Sequence, residues 1–180
     1  QSKTAWLPEC DSCRYHEKVM GHSVRTEDNE RWSHVADDDN NIKTAIMKTS
    51  NLCNLACRMC GPNVSTKWQQ VVAANSPNGF YEEESTVLEQ TTVDDMTYIK
   101  KYVLTEHLEH ISFSGGEPML SKWNVEILQY LIDNDLCKNI KFGIITNGTV
   151  KFTDAWLESI THFKHASIGV SMDGIGSVIE

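Results

Sequence analysis

The sequence predicts an α/β fold built on a parallel sheet. Four short runs rich in β-branched and apolar residues alternate with stretches whose apolar residues recur at helical spacing. Strands that alternate with amphipathic helices form parallel sheets joined by right-handed crossovers. Each run also ends in residues that an ordinary turn does not require, and in parallel α/β folds the C-terminal strand ends form the functional face.

Taken in order, residues 1 to 41 are polar and irregular, with one short helix expected from Ser12 to Met20 and stopped by Gly21. Ile42 to Lys48 (IKTAIMK) is the first strand, and it runs into SNLCNLACRMCGP at residues 50 to 62. A helix follows from Val64 to Ala74, with Asn63 or Ser65 at its start. Residues 75 to 93 hold Pro77, Asn78-Gly79 and Glu82-Glu83-Glu84, and read as a long loop or insertion. Asp94-Asp95 opens a helix through Val103, and His110 to Ser114 is the second strand, followed by Gly115-Gly116-Glu117-Pro118. Ser121 is expected to cap the next helix, which places Trp123, Ile127, Leu128 and Leu131 on one face. Asn139 to Thr146 is the third strand and ends in Asn147-Gly148. Thr153 caps a helix with Trp156, Leu157, Ile160 and Phe163 as its buried stripe, and Ala166 to Met172 is the fourth strand, ending in Asp173-Gly174. The organisation is thus a small cysteine-containing segment over residues 1–40 and an α/β core over 41–180.

Bulk properties narrow the function classes. A chain of 180 residues suits one domain, or one domain with an appendage. A net charge of -9 argues against broad binding to nucleic acid or an anionic membrane. No apolar run reaches the ~18 residues of a membrane span, and no signal peptide opens the sequence. The six cysteines are clustered, which fits reduced thiols and metal ligation in a cytoplasm better than a secreted disulfide frame. The start at Gln1 and the stop at Glu180, just after a Gly-rich turn, lead to the expectation of a fragment of a longer protein.

Cys53, Cys57 and Cys60 are spaced Cx3CxxC. Structural zinc takes four closed ligands, so a zinc site would have to borrow a remote group such as His110 or Cys137. Iron–sulfur clusters are held by cysteine thiolates, and a 4Fe-4S cube on three cysteines keeps one iron open for chemistry. Cys10 and Cys13 form a CxxC pair within ECDSCRYHEKVMGHSVR, half a metal site at most, which reads as a zinc knuckle or a solvent-facing thiol pair. Cys137 reads as a core thiol, and His107 and His110 as solvent or core residues. Trp6 and Trp32 are candidates to pack the N-terminal segment onto the core.

SNLCNLACRMCGP resembles the cluster loop of the radical S-adenosylmethionine (SAM) superfamily. That resemblance implies a partial (β/α) TIM-like barrel, here truncated after about four strands, with the cube held by Cys53, Cys57 and Cys60. Gly115, Gly116, Glu117 and Pro118 resemble the family's GGEP, whose glycines let the main chain approach the methionyl amino group of SAM. On that reading Gly116→Val would spare the cluster and weaken SAM binding. Asn147 lies in a TNG turn near the cofactor, Ser171 and Asp173 resemble the polar pair that meets the ribose, and Met59 takes a position often aromatic in the family, against the adenine.

Cys10, Cys13, Glu17, Gly21, Ser23 and Arg25 resemble the segment upstream of the cluster loop in members with a twitch-type or SPASM-type domain. This implies an auxiliary iron–sulfur cluster and a peptide or protein substrate. The implied partners are a one-electron reductant such as flavodoxin or ferredoxin, with no nucleic acid and no membrane. The rival class is a non-catalytic zinc- or cluster-binding module for structure or partner contact.

Overall fold

Alternating apolar residues at Ala45, Ile111, Phe113, Phe142 and Ile144 give the larger unit its sheet. The computed structural model describes residues 10–35, 40–75 and 91–172, and the chain divides into two units, Gln1–Asn40 and Asn41–Glu180. In the second unit, β1 (Thr44–Met47), β2 (His110–Phe113), β3 (Lys141–Thr146) and β4 (His165–Val170) form one sheet in the order β1-β2-β3-β4, with every pairing parallel. Met47 stands level with Phe113, and Phe113 with Ile144, so the C-terminal strand ends share one edge. This is the α/β architecture expected, a four-stranded portion of a TIM-like (β/α) fold.

Parallel neighbours need a crossover. The crossovers are α3 (Thr66–Asn75) and α4 (Val93–Tyr102) before β2, α5 (Lys122–Asp133) before β3, and α6 (Asp154–Thr161) before β4. One sheet face packs on these helices. Ile111, Phe113, Phe142 and Ile144 join Ile127, Leu128 and Leu131 of α5 and Trp156 of α6 in a single buried cluster. Phe113 meets Phe142 and Trp156 edge-on, with ring centroids 5.4 and 6.2 Å apart, the arrangement that aromatic quadrupoles favour. On the opposite face one register row reads Ile46, Ser112, Gly143, Ser167. That row is mostly small, so it leaves room above the sheet.

Several details depart from the sequence reading. Ser121 stands at the N-cap of α5 but makes no cap bond, because its hydroxyl is used by Thr49. Leu157 is exposed rather than part of the α6 stripe, which rests on Trp156, Phe163 and the partly buried Ile160. A 3-10 turn at Cys137–Asn139 precedes β3 and delays its start. Trp6 and most of the expected 75–93 insertion lie outside the described residues.

The N-terminal unit contains α1 (Asp11–Met20) and a second helix, α2 (Val24–Arg31), in a stretch that composition alone marks as irregular. Its signal is a reciprocal capping box. Ser23 Oγ accepts from Thr26 N, and Thr26 Oγ1 accepts from Ser23 N at 2.8 Å. Threonine replaces the usual Glu or Gln, which hides the motif. Glu17 of α1 then clasps α2. It accepts from Ser23 Oγ at 2.6 Å and, in two-pronged fashion, from Arg25 Nε at 3.0 Å and Nη2 at 2.7 Å.

Arg25, and then Ser23, hold the Glu17 carboxyl below its ordinary value of 4.5. A depressed carboxyl makes its contribution fully above the ordinary value and loses it as pH falls through the lower folded value. Arg25→Met is therefore expected to move the Glu17 titration, followed by carboxyl 13C NMR, upward toward 4.5. Identical midpoints in the two proteins would remove the clasp.

Candidate functional site

The stretch after β1 has no regular secondary structure, so its backbone polar groups need partners elsewhere. They find them in α3 and at neighbouring strand ends. Cys53 N donates to Thr66 Oγ1 and Cys53 O accepts from the same hydroxyl, both at 3.1 Å. Asn51 O accepts from Thr66 N at 3.1 Å, and Leu55 O from Ser65 Oγ at 2.6 Å. Cys57 O accepts twice, from Trp68 Nε1 at 2.7 Å and from Cys60 N at 3.0 Å. With the main chain held this way, three thiols project from one loop, Cys53 and Cys57 partly buried and Cys60 exposed.

The second strand end grips the same loop. Gly116 N donates to Ser50 O at 3.2 Å and Glu117 N to Leu52 O at 2.7 Å. A Cβ on Gly116 would lie 2.3 Å from Leu52 O and 2.7 Å from Asn51 C, and Gly115 sits at a φ of 107°. The glycines are therefore required first by the cysteine loop itself. This corrects the expectation that a side chain at Gly116 would touch only cofactor binding, since Leu52 precedes the first cysteine.

Glu117 is 1% exposed. Its carboxylate accepts from Thr146 Oγ1 at 2.8 Å, Met119 N at 3.2 Å and Asn147 N at 2.8 Å. It thus ties the second strand end to the third, and Pro118 beside it is buried. Behind this edge a buried polar chain continues. Thr49 donates to Asn124 Oδ1 at 2.8 Å, so the Ser121 hydroxyl must donate to Thr49, at 2.7 Å. Asn124 Nδ2 closes the chain on Pro118 O at 2.9 Å.

Asn147 reaches back to the first strand end, its Nδ2 lying 3.9 Å from Cys53 Sγ and 3.0 Å from Asn54 Oδ1. Ser171, at the fourth strand end, donates its backbone N–H to Thr146 O at 2.8 Å. The first, second and third strand ends are thus linked through Leu52, Glu117 and Asn147. Met59 is 91% exposed on the cysteine loop, and Asp173 lies outside the described residues. Cys10 and Cys13 belong to the N-terminal unit, at the N-cap and in the first turn of α1.

Sequence patterns did not single out Leu52, Asn54, Thr66, Trp68, Thr146 or Thr149. Thr66 and Trp68 fall six and eight residues beyond Cys60, at the start of α3, and that placement is the one signal that pointed to them.

The donor set can be tested against the metals considered. His110 begins β2, and Cys137 lies in the turn before β3. Both stand at the N-terminal edge of a parallel sheet whose cysteine loop follows a C-terminal edge. The remote ligands that zinc would borrow are at the wrong end, and Cys137 is buried, its thiol pushed up to about 11 by burial. A four-iron cube takes its thiolates on separate irons, and three thiols on one loop with no histidine or carboxylate among them fit that group.

A family model described as the Radical SAM superfamily matches residues 47–177. The match begins at the last residue of β1 and takes in all four strand ends. Over 135 residues the chain is 28% identical to an uncharacterized protein, MJ0907, of Methanocaldococcus jannaschii, covering 74% of this chain and 40% of that one. Over 147 residues it is 28% identical to the radical SAM cyclopropyl synthase TigE of Paramaledivibacter caminithermalis, covering 79% of this chain and 27% of that one. The chain therefore matches well under half the length of these curated relatives.

Two substitutions probe the geometry. Gly116→Val is expected to lose most bound iron after anaerobic reconstitution, with helical circular dichroism retained, because Leu52 must move. A full iron complement would dismiss the loop contact. Glu117→Gln places an amide where three donors converge, so either amide orientation leaves a backbone N–H without an acceptor. A loss of about 1–3 kcal/mol in urea unfolding is expected, and an unchanged midpoint would show that the carboxylate is not the staple.

Proposed function

The chain belongs to the radical SAM superfamily, and from that premise we propose that Cys53, Cys57 and Cys60 hold its 4Fe-4S cluster while the adjoining strand ends seat SAM. Membership makes this an enzyme sequence whose cofactors are the cluster and SAM. The chemistry they supply is one-electron cleavage of the SAM sulfonium, followed by hydrogen abstraction from a substrate by the 5′-deoxyadenosyl radical.

The observation that carries the assignment is the clasp of the cysteine loop by the GGEP turn, with Gly116 against Leu52. The residues of this chain then divide the remaining work. Gly115 and Gly116 bring main chain next to the loop that carries the thiols. Asn147 stands on the same edge and is assigned to the cofactor with them. Ser171 and Asp173 are assigned to the ribose hydroxyls, and the exposed Met59 to the adenine face. The small row Ser112, Gly143, Ser167 leaves volume over the open sheet face for substrate. Excluding water from that volume protects a radical from side reactions.

We assign a peptide or protein as substrate, on the resemblance of Cys10, Cys13, Glu17, Ser23 and Arg25 to the twitch-type or SPASM-type segment. The same resemblance assigns Cys10 and Cys13 to an auxiliary cluster. The clasp of Glu17 on Ser23 and Arg25 supports this reading, because it uses three residues of that pattern to fix the helix that bears both thiols. No helix among the described residues is long and apolar enough to cross a membrane. A cytoplasmic setting with a flavodoxin- or ferredoxin-type electron donor fits an oxygen-sensitive cluster.

The test uses the full-length protein, reconstituted without oxygen, reduced with dithionite and supplied with SAM. Release of 5′-deoxyadenosine, read by mass spectrometry, is expected, and Cys57→Ala should abolish it together with the iron while the helices stay folded. Full iron and full cleavage in Cys57→Ala would overturn the ligand assignment.

A further inference from the structure

We propose that Asn147 is a hydrogen-bond donor to the Cys53 sulfur, held in that orientation by Thr149 and Asn54, and that it raises the reduction potential of the bound cluster. This rests on the assignment of Cys53 as a cluster ligand.

The amide orientation follows from chemistry. Asn147 Oδ1 faces the backbone N–H of Thr149 at 2.9 Å, and a backbone N–H can only donate. That end of the amide is therefore the oxygen, and the other end is the NH2 group. The Thr149 hydroxyl donates to the same oxygen at 2.7 Å and accepts from Asn54 Nδ2 at 2.7 Å. With Nδ2 used on Thr149, Asn54 turns its own oxygen to Asn147 Nδ2 at 3.0 Å. The three side chains close a ring of three hydrogen bonds, each running from a donor to an acceptor. One Asn147 N–H remains, and it lies 3.9 Å from Cys53 Sγ. A thiolate only accepts, so the pair is matched.

The position is fixed from below as well. The backbone N–H of Asn147 is held by Glu117 at 2.8 Å, and the Thr146 hydroxyl accepts from Gly148 N at 3.1 Å. The amide has little freedom to turn away. Hydrogen bonds to cluster sulfurs are one of the determinants of potential. When the cluster gains one electron from its reductant, no bond is made or broken and the sulfurs become more negative. A donor aimed at Sγ stabilises that state more than the oxidised one, so the potential rises.

The measurement is the midpoint potential of the reconstituted full chain without SAM, by redox titration monitored by EPR. Asn147→Ala keeps the backbone bond to Glu117 and should keep its iron, with the midpoint shifted to more negative values. Asn147→Asp keeps the Thr149 bonds but replaces the donor by a charged oxygen, and should shift it further. An unshifted midpoint in both variants with full iron overturns the proposal, as does reduced SAM affinity with an unshifted midpoint, which would make Asn147 a cofactor contact only. If neither variant loads iron, the unmutated protein with side-chain 15N-asparagine must show a nitrogen hyperfine coupling at the reduced cluster, and its absence likewise overturns the proposal. Failure of the underlying assignment is distinct: it would appear as full iron in Cys53→Ala.

Discussion

The arrangement depends on one close approach, that of the Gly116 main chain to Leu52. A loop with neither helix nor strand cannot satisfy its own backbone, and a bare loop would not hold three thiols in a fixed relation. Contact at 2.7 Å between Glu117 N and Leu52 O converts the loop into an extension of the strand edge. Only a residue without Cβ permits that distance, since the next atom would lie 2.3 Å from the Leu52 oxygen. The glycine requirement therefore belongs to the protein before it belongs to any ligand.

Glu117 shows how the same turn reaches the next strand. A buried carboxylate is tolerated when its oxygens are met by donors, and here three donors come from two different strand ends. Register makes this possible. Because Phe113 stands level with Ile144, Glu117, four places after the first, meets Thr146 and Asn147, two and three places after the second. The parallel sheet and its hydrophobic face thus act at a distance: ladder hydrogen bonds set the strand spacing, Phe113, Phe142 and Trp156 pack that sheet onto its helices, and the register sets the carboxylate geometry.

This also explains what was legible in the sequence. Period and composition disclosed the four strands and the helices of the core, because Trp123, Ile127, Leu128 and Leu131 repeat at helical spacing and are buried together. The clustered thiols and the GGEP and TNG turns were legible as local patterns. Their linkage was not, because hydrogen bonds between Glu117 and Thr146 or between Asn54 and Thr149 join residues 29 and 95 positions apart. Ser121 shows the same limit in small form. By local rule it caps a helix, yet its hydroxyl bonds Thr49 instead, 72 positions away. The second N-terminal helix was hidden for a different reason: its capping box uses threonine, and beyond the exposed Val24 it is polar throughout, with no buried residue to give a period.

The chemistry assigned to this edge places two demands on it that pull against each other. A buried carboxylate at Glu117 adds negative charge one residue from the cysteine loop, and a low-dielectric interior strengthens its effect on any cluster there. Negative charge resists the entry of an electron. The peptide and amide of Asn147 stand between the two. Its backbone N–H faces Glu117 and its side-chain N–H faces Cys53. One residue therefore turns a positive dipole end toward each negative group. That arrangement lets the carboxylate serve as a staple between strand ends without setting the electrostatics of the thiol loop alone. It also accounts for the residue type, since a side chain offering a donor at one end and an acceptor at the other, with the acceptor pinned by Thr149, is what the position requires.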